Sequence, residues 1–157
     1  MKITLLTIGK TDRKYIREGI SVYEKRLSHY INFEIVEIPA LKKVSSMPVE
    51  IIKQKESELL TRYLDKADSI ILLDESGKAL SSEEFAGFLQ KKMNSGIREM
   101  VFVVGGAWGF HENLYKKANH TISLSKMTFS HQMIRLFFAE QIYRAFTILK
   151  GESYHNE

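Results

Sequence analysis

Met100-Val-Phe-Val-Val-Gly-Gly-Ala-Trp-Gly109 is a run of five apolar residues that passes straight into a loop holding three glycines in five positions. An apolar run of that length, closed by glycine, reads as a strand buried on both faces. A second run, Ser69-Ile-Ile-Leu-Leu73, has the same character and is followed by Asp74-Glu-Ser-Gly-Lys78, which reads as a turn. Strands without a polar face need helices on both sides of their sheet, and helical patterns flank both runs. Residues 12–30 repeat Ile16, Ile20, Tyr23 and Leu27 at helical spacing, with charges between them. Residues 49–64 form a second, more charged amphipathic pattern. Ser81-Ser-Glu-Glu84 is a capping box that starts a helix reaching about Asn94.

The remaining elements extend this alternation. Residues 2–8 are an apolar, β-branched strand ended by Gly9, and residues 33–38 (FEIVEI) are an alternating strand stopped by Pro39. Residues 40–47 are a loop carrying Lys42 and Lys43. A short helix is expected at 112–118, a last strand at 121–124, and a long helix at 130–149 with Gly151 beyond its end. Strand and helix thus alternate five times, which predicts an α/β fold: a mostly parallel sheet with helices on both faces. The 157 residues suit a single domain over 1–157. In such sheets ligands bind beyond the carboxyl ends of the strands. The loops after Leu73, Val104 and Leu124 are the candidates.

Bulk composition narrows the chemistry. The absence of cysteine excludes disulfides, cysteine nucleophiles and cysteine-ligated metals. No apolar stretch approaches a membrane span and the N-terminus does not read as a signal peptide, so a soluble cytoplasmic protein is expected, with no membrane partner. The net charge of +4 permits a nucleic-acid partner without requiring one.

Three segments carry possible chemistry. The loop Gly105–Gly109 fits either a cofactor cradle or a tight strand-to-helix turn. Its spacing is not the dinucleotide fingerprint, and no Gly-Lys-Ser/Thr follows to make a phosphate-binding loop. Trp108 is the only tryptophan, placed to stack on a base or to pack against a second chain. The run Ser123-Leu-Ser-Lys-Met-Thr-Phe-Ser-His131 fits either backbone amides that face a ligand, aided by the positive start of the next helix, or an ordinary capping run with Ser130 as cap. The last helix is apolar almost all round, apart from a stripe of Glu140, Gln141, Arg144 and Thr147 and a lone Arg135 opposite. Such a helix is either central to the fold or a dimer interface, and the interface is favoured here. Arg135 then needs a partner or an anionic ligand. Tyr154-His155 reads by composition as part of a frayed terminus.

Together these blocks give a resemblance. Leu72-Leu-Asp-Glu-Ser-Gly-Lys78 with Ser81-Ser-Glu83, Phe102-Val-Val-Gly-Gly-Ala-Trp-Gly109, Ser123-Leu-Ser-Lys-Met-Thr-Phe-Ser-His-Gln132, Arg135, Glu140-Gln-Ile-Tyr-Arg-Ala145 and Tyr154-His155 resemble the ribosomal large-subunit RNA pseudouridine N3-methyltransferases of the SPOUT superfamily. The resemblance implies a C-terminal trefoil knot (the α/β-knot) and an S-adenosylmethionine pocket lined by Leu73, Gly105, Leu124, Ser125, Lys126, Met127, Thr128 and Phe129. It implies a homodimer packed through the last helix and a substrate in 23S ribosomal RNA within the ribosome. His131, Arg144, Tyr154 and His155 are the implied catalytic groups, with the tail reaching the other protomer's site and no metal required. Arg135 is implied as a holder of a phosphate or of the methionine carboxylate. Ser153 and Asn156 depart from the family's proline and basic residue around the Tyr-His pair, and Ala107-Trp108 from its Pro-Glu. Two other readings compete: a ribosome-assembly factor without catalysis, and a nucleotide-using Rossmann-like enzyme.

Overall fold

A computed structural model describes residues 1–156. Its strands are β1 (Lys2–Ile8), β2 (Asn32–Ile38), β3 (Ser69–Ala79), β4 (Glu99–Val104) and β5 (His120–Ser123). Its helices are α1 (Lys14–Leu27), α2 (Val49–Leu64), α3 (Ser82–Asn94), α4 (Glu112–Lys117) and α5 (Met133–Lys150), with short 3-10 turns at Val44–Ser46 and Ser153–Asn156. Every strand pairing is parallel, and the sheet runs β2-β1-β4-β3-β5. The α/β reading therefore holds, and the two wholly apolar runs are neighbours near the middle of the sheet.

Each face of the sheet has its own core. On one face, Ile3, Leu5, Ile71 and Phe102 meet Leu27 of α1, Phe85 and Leu89 of α3, and Phe138, Ile142 and Phe146 of α5. On the other, Leu6, Leu72, Val101 and Val103 meet Leu60 and Leu64 of α2 and Leu114 of α4. Alternate residues of one strand feed opposite cores, which is why β3 and β4 have no polar face.

Four details differ from the expectations. Helix α1 starts at Lys14 and ends at Leu27, shorter at both ends than 12–30, because no side chain caps its start and Ser28 closes it. The turn expected at 74–78 lies inside β3: Leu73 and Lys78 both pair with Ile122, so the intervening residues bulge out and return. Asp74 holds this bulge by accepting from the Ser76 amide at 2.8 Å. Gly77 permits it, since a Cβ there would stand 2.7 Å from the Ile122 backbone. Helix α5 begins at Met133 and not at residue 130, although the Ser130 hydroxyl still accepts from the Met133 amide at 3.2 Å. Finally, α5 is central to the fold. Phe138, Ala139 and Ile142 are wholly buried, and the Phe138 ring sits 4.8 Å from that of Phe102. The apolar girth of α5 is thus largely used within one chain. The capping box at Ser81 and Glu84 is present as expected.

Candidate active site

The three loops named from strand ends come together. A cavity of about 240 Å³ at the carboxyl end of the sheet is lined by residues from the β3 bulge and from the segments that follow β4 and β5. Leu73, Gly105, Leu124, Ser125, Met127, Thr128, Phe129 and His131 all face it. Lys126 does not; it is exposed outside the lining.

Local bonding shapes each wall. Ser123 donates its hydroxyl to the Ser125 carbonyl at 2.9 Å, and the Ser125 hydroxyl accepts from the Met127 amide at 2.9 Å. These two bonds set the path of the loop after β5 without a regular element. The glycine loop turns tightly, with the Gly109 amide donating to the Gly106 carbonyl at 3.2 Å and Gly109 at φ +76°. A Cβ on Gly105 would come within 3.1 Å of the Phe110 ring, so its absence keeps this wall open. Trp108 and Met127, on two of these loops, are 57% and 78% exposed, and of the two only Met127 lines the cavity.

The other implied catalytic groups lie elsewhere in the chain. Arg144 is held on α5 by Glu140, with bonds of 2.8 and 2.6 Å to one carboxylate oxygen. Its third nitrogen donates to the carbonyls of Tyr154 and His155 at 3.3 and 3.2 Å, and its guanidinium lies 4.7 Å over the Tyr154 ring. The Glu140 bond raises the Arg144 pKa, so the guanidinium stays charged. The Tyr154 hydroxyl lies 3.3 Å from that of Tyr23 and 3.2 Å from Glu140, and burial followed by these contacts pushes its pKa up. His155 meets Glu83 at 2.7 Å. The tail is therefore docked in a 3-10 turn and is not frayed, as composition had suggested; Arg144 is what ties it down.

Arg135 corrects a second expectation. Its side chain is 1% exposed and donates to the Thr11 hydroxyl at 2.8 Å, to the Ile8 carbonyl at 2.9 Å and to the His131 carbonyl at 3.0 Å. Glu37 completes the set at 3.4 Å. Burial lowers its pKa and Glu37 raises it in part. Its donors are spent on the protein itself, so it holds no phosphate or cofactor carboxylate. It joins the loop after β1 to the start of α5.

Two acids at the site were not singled out from sequence. Asp74 lines the cavity and accepts from the Tyr115 hydroxyl at 2.8 Å as well as from Ser76. Burial works against its charge, but the Ser76 and Tyr115 bonds outweigh burial and hold its carboxyl below the ordinary range. Glu56 reaches the glycine loop from α2. Its carboxylate occupies the space a Cβ on Gly106 would need, one of its oxygens is buried without a donor, and burial raises its pKa. The sequence did hold a signal: Glu56 stands in an otherwise apolar i, i+4 line of Ile52, Leu60 and Leu64. Among the described residues no cluster of acids and histidines is fit to hold a metal, and no helix is long and apolar enough to cross a membrane.

A family model described as a predicted SPOUT methyltransferase matches residues 1–155. The chain belongs to this family. Curated relatives named ribosomal RNA large subunit methyltransferase H include one from Christiangramia forsetii, 53% identical over 156 residues and covering 99% of each chain. Another, from Flavobacterium johnsoniae, is 54% identical over 157 residues and 100% of each chain. Among solved structures, a probable methyltransferase from Bordetella pertussis superposes with a TM-score of 0.58 over 92% of this chain and 94% of its own, at 9% identity. A probable methylase family protein from Haemophilus influenzae gives 0.55 over 97% and 69%, at 10% identity. At such identities these two speak for the fold alone, and they place the parallel sheet of this SPOUT protein among known ones. Membership of a methyltransferase family implies a methyl donor, for which the cavity at the strand ends is the candidate place.

Proposed function

We propose that this SPOUT protein transfers a methyl group from S-adenosylmethionine to N3 of a pseudouridine in large-subunit ribosomal RNA, on assembled ribosomes in the cytoplasm. The observation that carries the reading is the cavity itself: three sequence-distant loops, selected by the resemblance and by strand-end position alike, line one space in a chain about half identical to curated large-subunit methyltransferases. The fit of the cofactor rests on two features. Gly105 leaves room beside the Phe110 ring, and Asp74 presents a carboxylate toward a cationic ligand.

When bound, S-adenosylmethionine supplies a methyl group on a sulfonium, already a good leaving group. The residues of the chain have three tasks. Leu73, Gly105, Leu124, Ser125, Met127, Thr128 and Phe129 hold and orient the cofactor by shape and backbone polarity. Asp74 meets its positive charge. A group near the acceptor takes the N3 proton, because a protonated N3 is a poor nucleophile. His131 is the implied catalytic residue that its own chain brings to the cavity. Arg144, Tyr154 and His155 belong to the same reading as groups delivered to the other protomer's site in a homodimer. The C-terminal knot and the single domain over 1–157 are likewise parts of this proposal.

The test is methyl transfer from labelled S-adenosylmethionine to whole ribosomes, separated subunits and free large-subunit RNA, with the product nucleotide identified by mass. Label at N3 of a pseudouridine in whole ribosomes is the expected result. Label confined to another base, or none despite cofactor binding, overturns the substrate assignment.

A further inference from the structure

We propose that the cleft between α3 and the open edge of β5 holds a single-stranded stretch of the RNA beside the target nucleotide, with phosphates on Lys78, Lys91 and Lys92 and a base on Phe88. This rests on the RNA reading above. The cleft measures about 430 Å³ and lies apart from the cavity already described. It forms because β5 ends the sheet: one edge pairs with β3 and the other is free. Phe88 and Ile122 are on its lining, Lys91 enters from α3, and Lys78 enters from the β3 bulge on the opposite wall. Gly87 adds no bulk, since a Cβ there would meet nothing within 4 Å.

Charge decides the kind of ligand. None of the three lysines forms an ion pair among the described residues. Lys92 instead stands 2.7 Å from the His120 ring nitrogen and 5.5 Å from the centre of the Phe88 ring, which meets the His120 ring edge-on at 5.2 Å. The one carboxylate on the lining, Glu84, caps α3 by accepting from the Ser81 amide at 2.8 Å, and the three lysines outnumber it. Lys91 and Lys92 at a helix C-terminus also complement its dipole. That does not account for Lys78 on the facing wall, nor for an aromatic pair between them. Uncompensated cations around a half-buried ring on a cleft wall suit a strand of nucleotides: phosphates on the rim and a base against the part of the ring left open. A protein partner would ask for acids matched to the same spacing, and the aromatic floor favours a base.

Position links the cleft to the chemistry. The β3 bulge presents Lys78 to the cleft and Asp74 and Glu75 to the methyl-transfer cavity. The chain likewise runs from Ile122 of β5 in the cleft to Leu124, just past the strand's end, in the cavity, roughly 7 Å at the rise of a strand. A strand lying along β5 therefore has its next nucleotide at the cavity mouth.

The probe is a fluorescent oligouridylate of about ten residues, titrated at several salt concentrations against the full chain. The double variant Lys91→Gln with Lys92→Gln should bind it about tenfold more weakly, and the slope of log affinity against log salt should fall by about 1.4, the value for two phosphate contacts on a single strand. Phe88→Leu, which keeps the apolar filling, should weaken binding severalfold at an unchanged slope. Calorimetric affinity for S-adenosylmethionine should stay the same in every variant, which separates failure of the cleft from failure of the cofactor reading. Unchanged affinity and slope in the double variant overturn the proposal, as does a wild type that fails to bind the probe at low salt. Loss of ribosome binding with intact oligouridylate binding overturns it in favour of an acidic protein face.

Discussion

Arg135→Ala should cost stability and leave cofactor binding alone. The substitution deletes the donors that reach Thr11, Ile8, His131 and Glu37 from a side chain 1% exposed. Removing one partner of a buried ion pair costs about 3–5 kcal/mol, mostly through what is left unpaired. Here the lower end applies. The Glu37 side chain is 33% exposed and can rehydrate, and it still accepts from the Thr11 amide at 2.7 Å. For a chain of this size each 1 kcal/mol moves Tm by roughly 2–4 °C, so a loss of about 3 kcal/mol lowers it by roughly 6–12 °C. The assay is thermal unfolding by circular dichroism at fixed protein concentration, paired with calorimetric titration of S-adenosylmethionine well below both midpoints. Arg135→Lys should recover less than half of the loss, because a single ammonium cannot match the guanidinium fork. An unchanged Tm with lost cofactor or RNA binding would refute the reasoning, since Arg135 would then be holding an anion and not the loop after β1.

Gly105→Val should weaken S-adenosylmethionine binding more than tenfold while leaving the circular dichroism spectrum intact, because even a Cβ already crowds the Phe110 ring at 3.1 Å. Phe137→Glu should yield monomers by light scattering. Phe137 is half-buried with its ring 5.2 Å from that of Phe129, so cofactor affinity should fall as well, and a fully dimeric variant would place the interface elsewhere. Tyr115→Phe removes a donor from Asp74, whose carboxyl is held below its ordinary value. A depressed carboxyl stabilises the fold above its ordinary pKa and loses that contribution as pH falls through its lower folded value. The variant should therefore shift the acid limb of both stability and cofactor binding to higher pH; identical limbs would mean the Tyr115 bond has no effect. Glu56→Gln should remove a stability loss that sets in as pH rises, since burial raises the Glu56 pKa and its charged form is the disfavoured one. Chemical denaturation at acid and neutral pH reads the difference.

What was legible in the sequence is what short-range pattern encodes. The apolar runs of β3 and β4, the capping box at Ser81 and the glycine ends of elements each depend on residues a few positions apart, so periodicity and propensity suffice to find them. The loops after Leu73, Val104 and Leu124 were legible for another reason: strand order in a parallel sheet places strand ends together whatever the side chains are. What was not legible depends on contacts that the chain makes across its length. Arg135 finds its acceptors at Ile8 and Thr11, more than a hundred residues away, and read alone an arginine on an apolar face looks like a ligand holder. Tyr154 and His155 look frayed until Arg144 and Glu83 are seen to hold them. The bulge in β3 looks like a terminating turn because its cause, the return to Ile122, lies on another strand. These misreadings share one origin. A polar group's role is set by who satisfies its hydrogen bonds, and that partner is fixed by topology, not by neighbouring sequence. The same argument explains why the cleft beside β5 was missed: Lys78, Lys91, Lys92 and His120 are unremarkable singly, and become a basic rim only when β3 and α3 are laid on either side of an open strand edge.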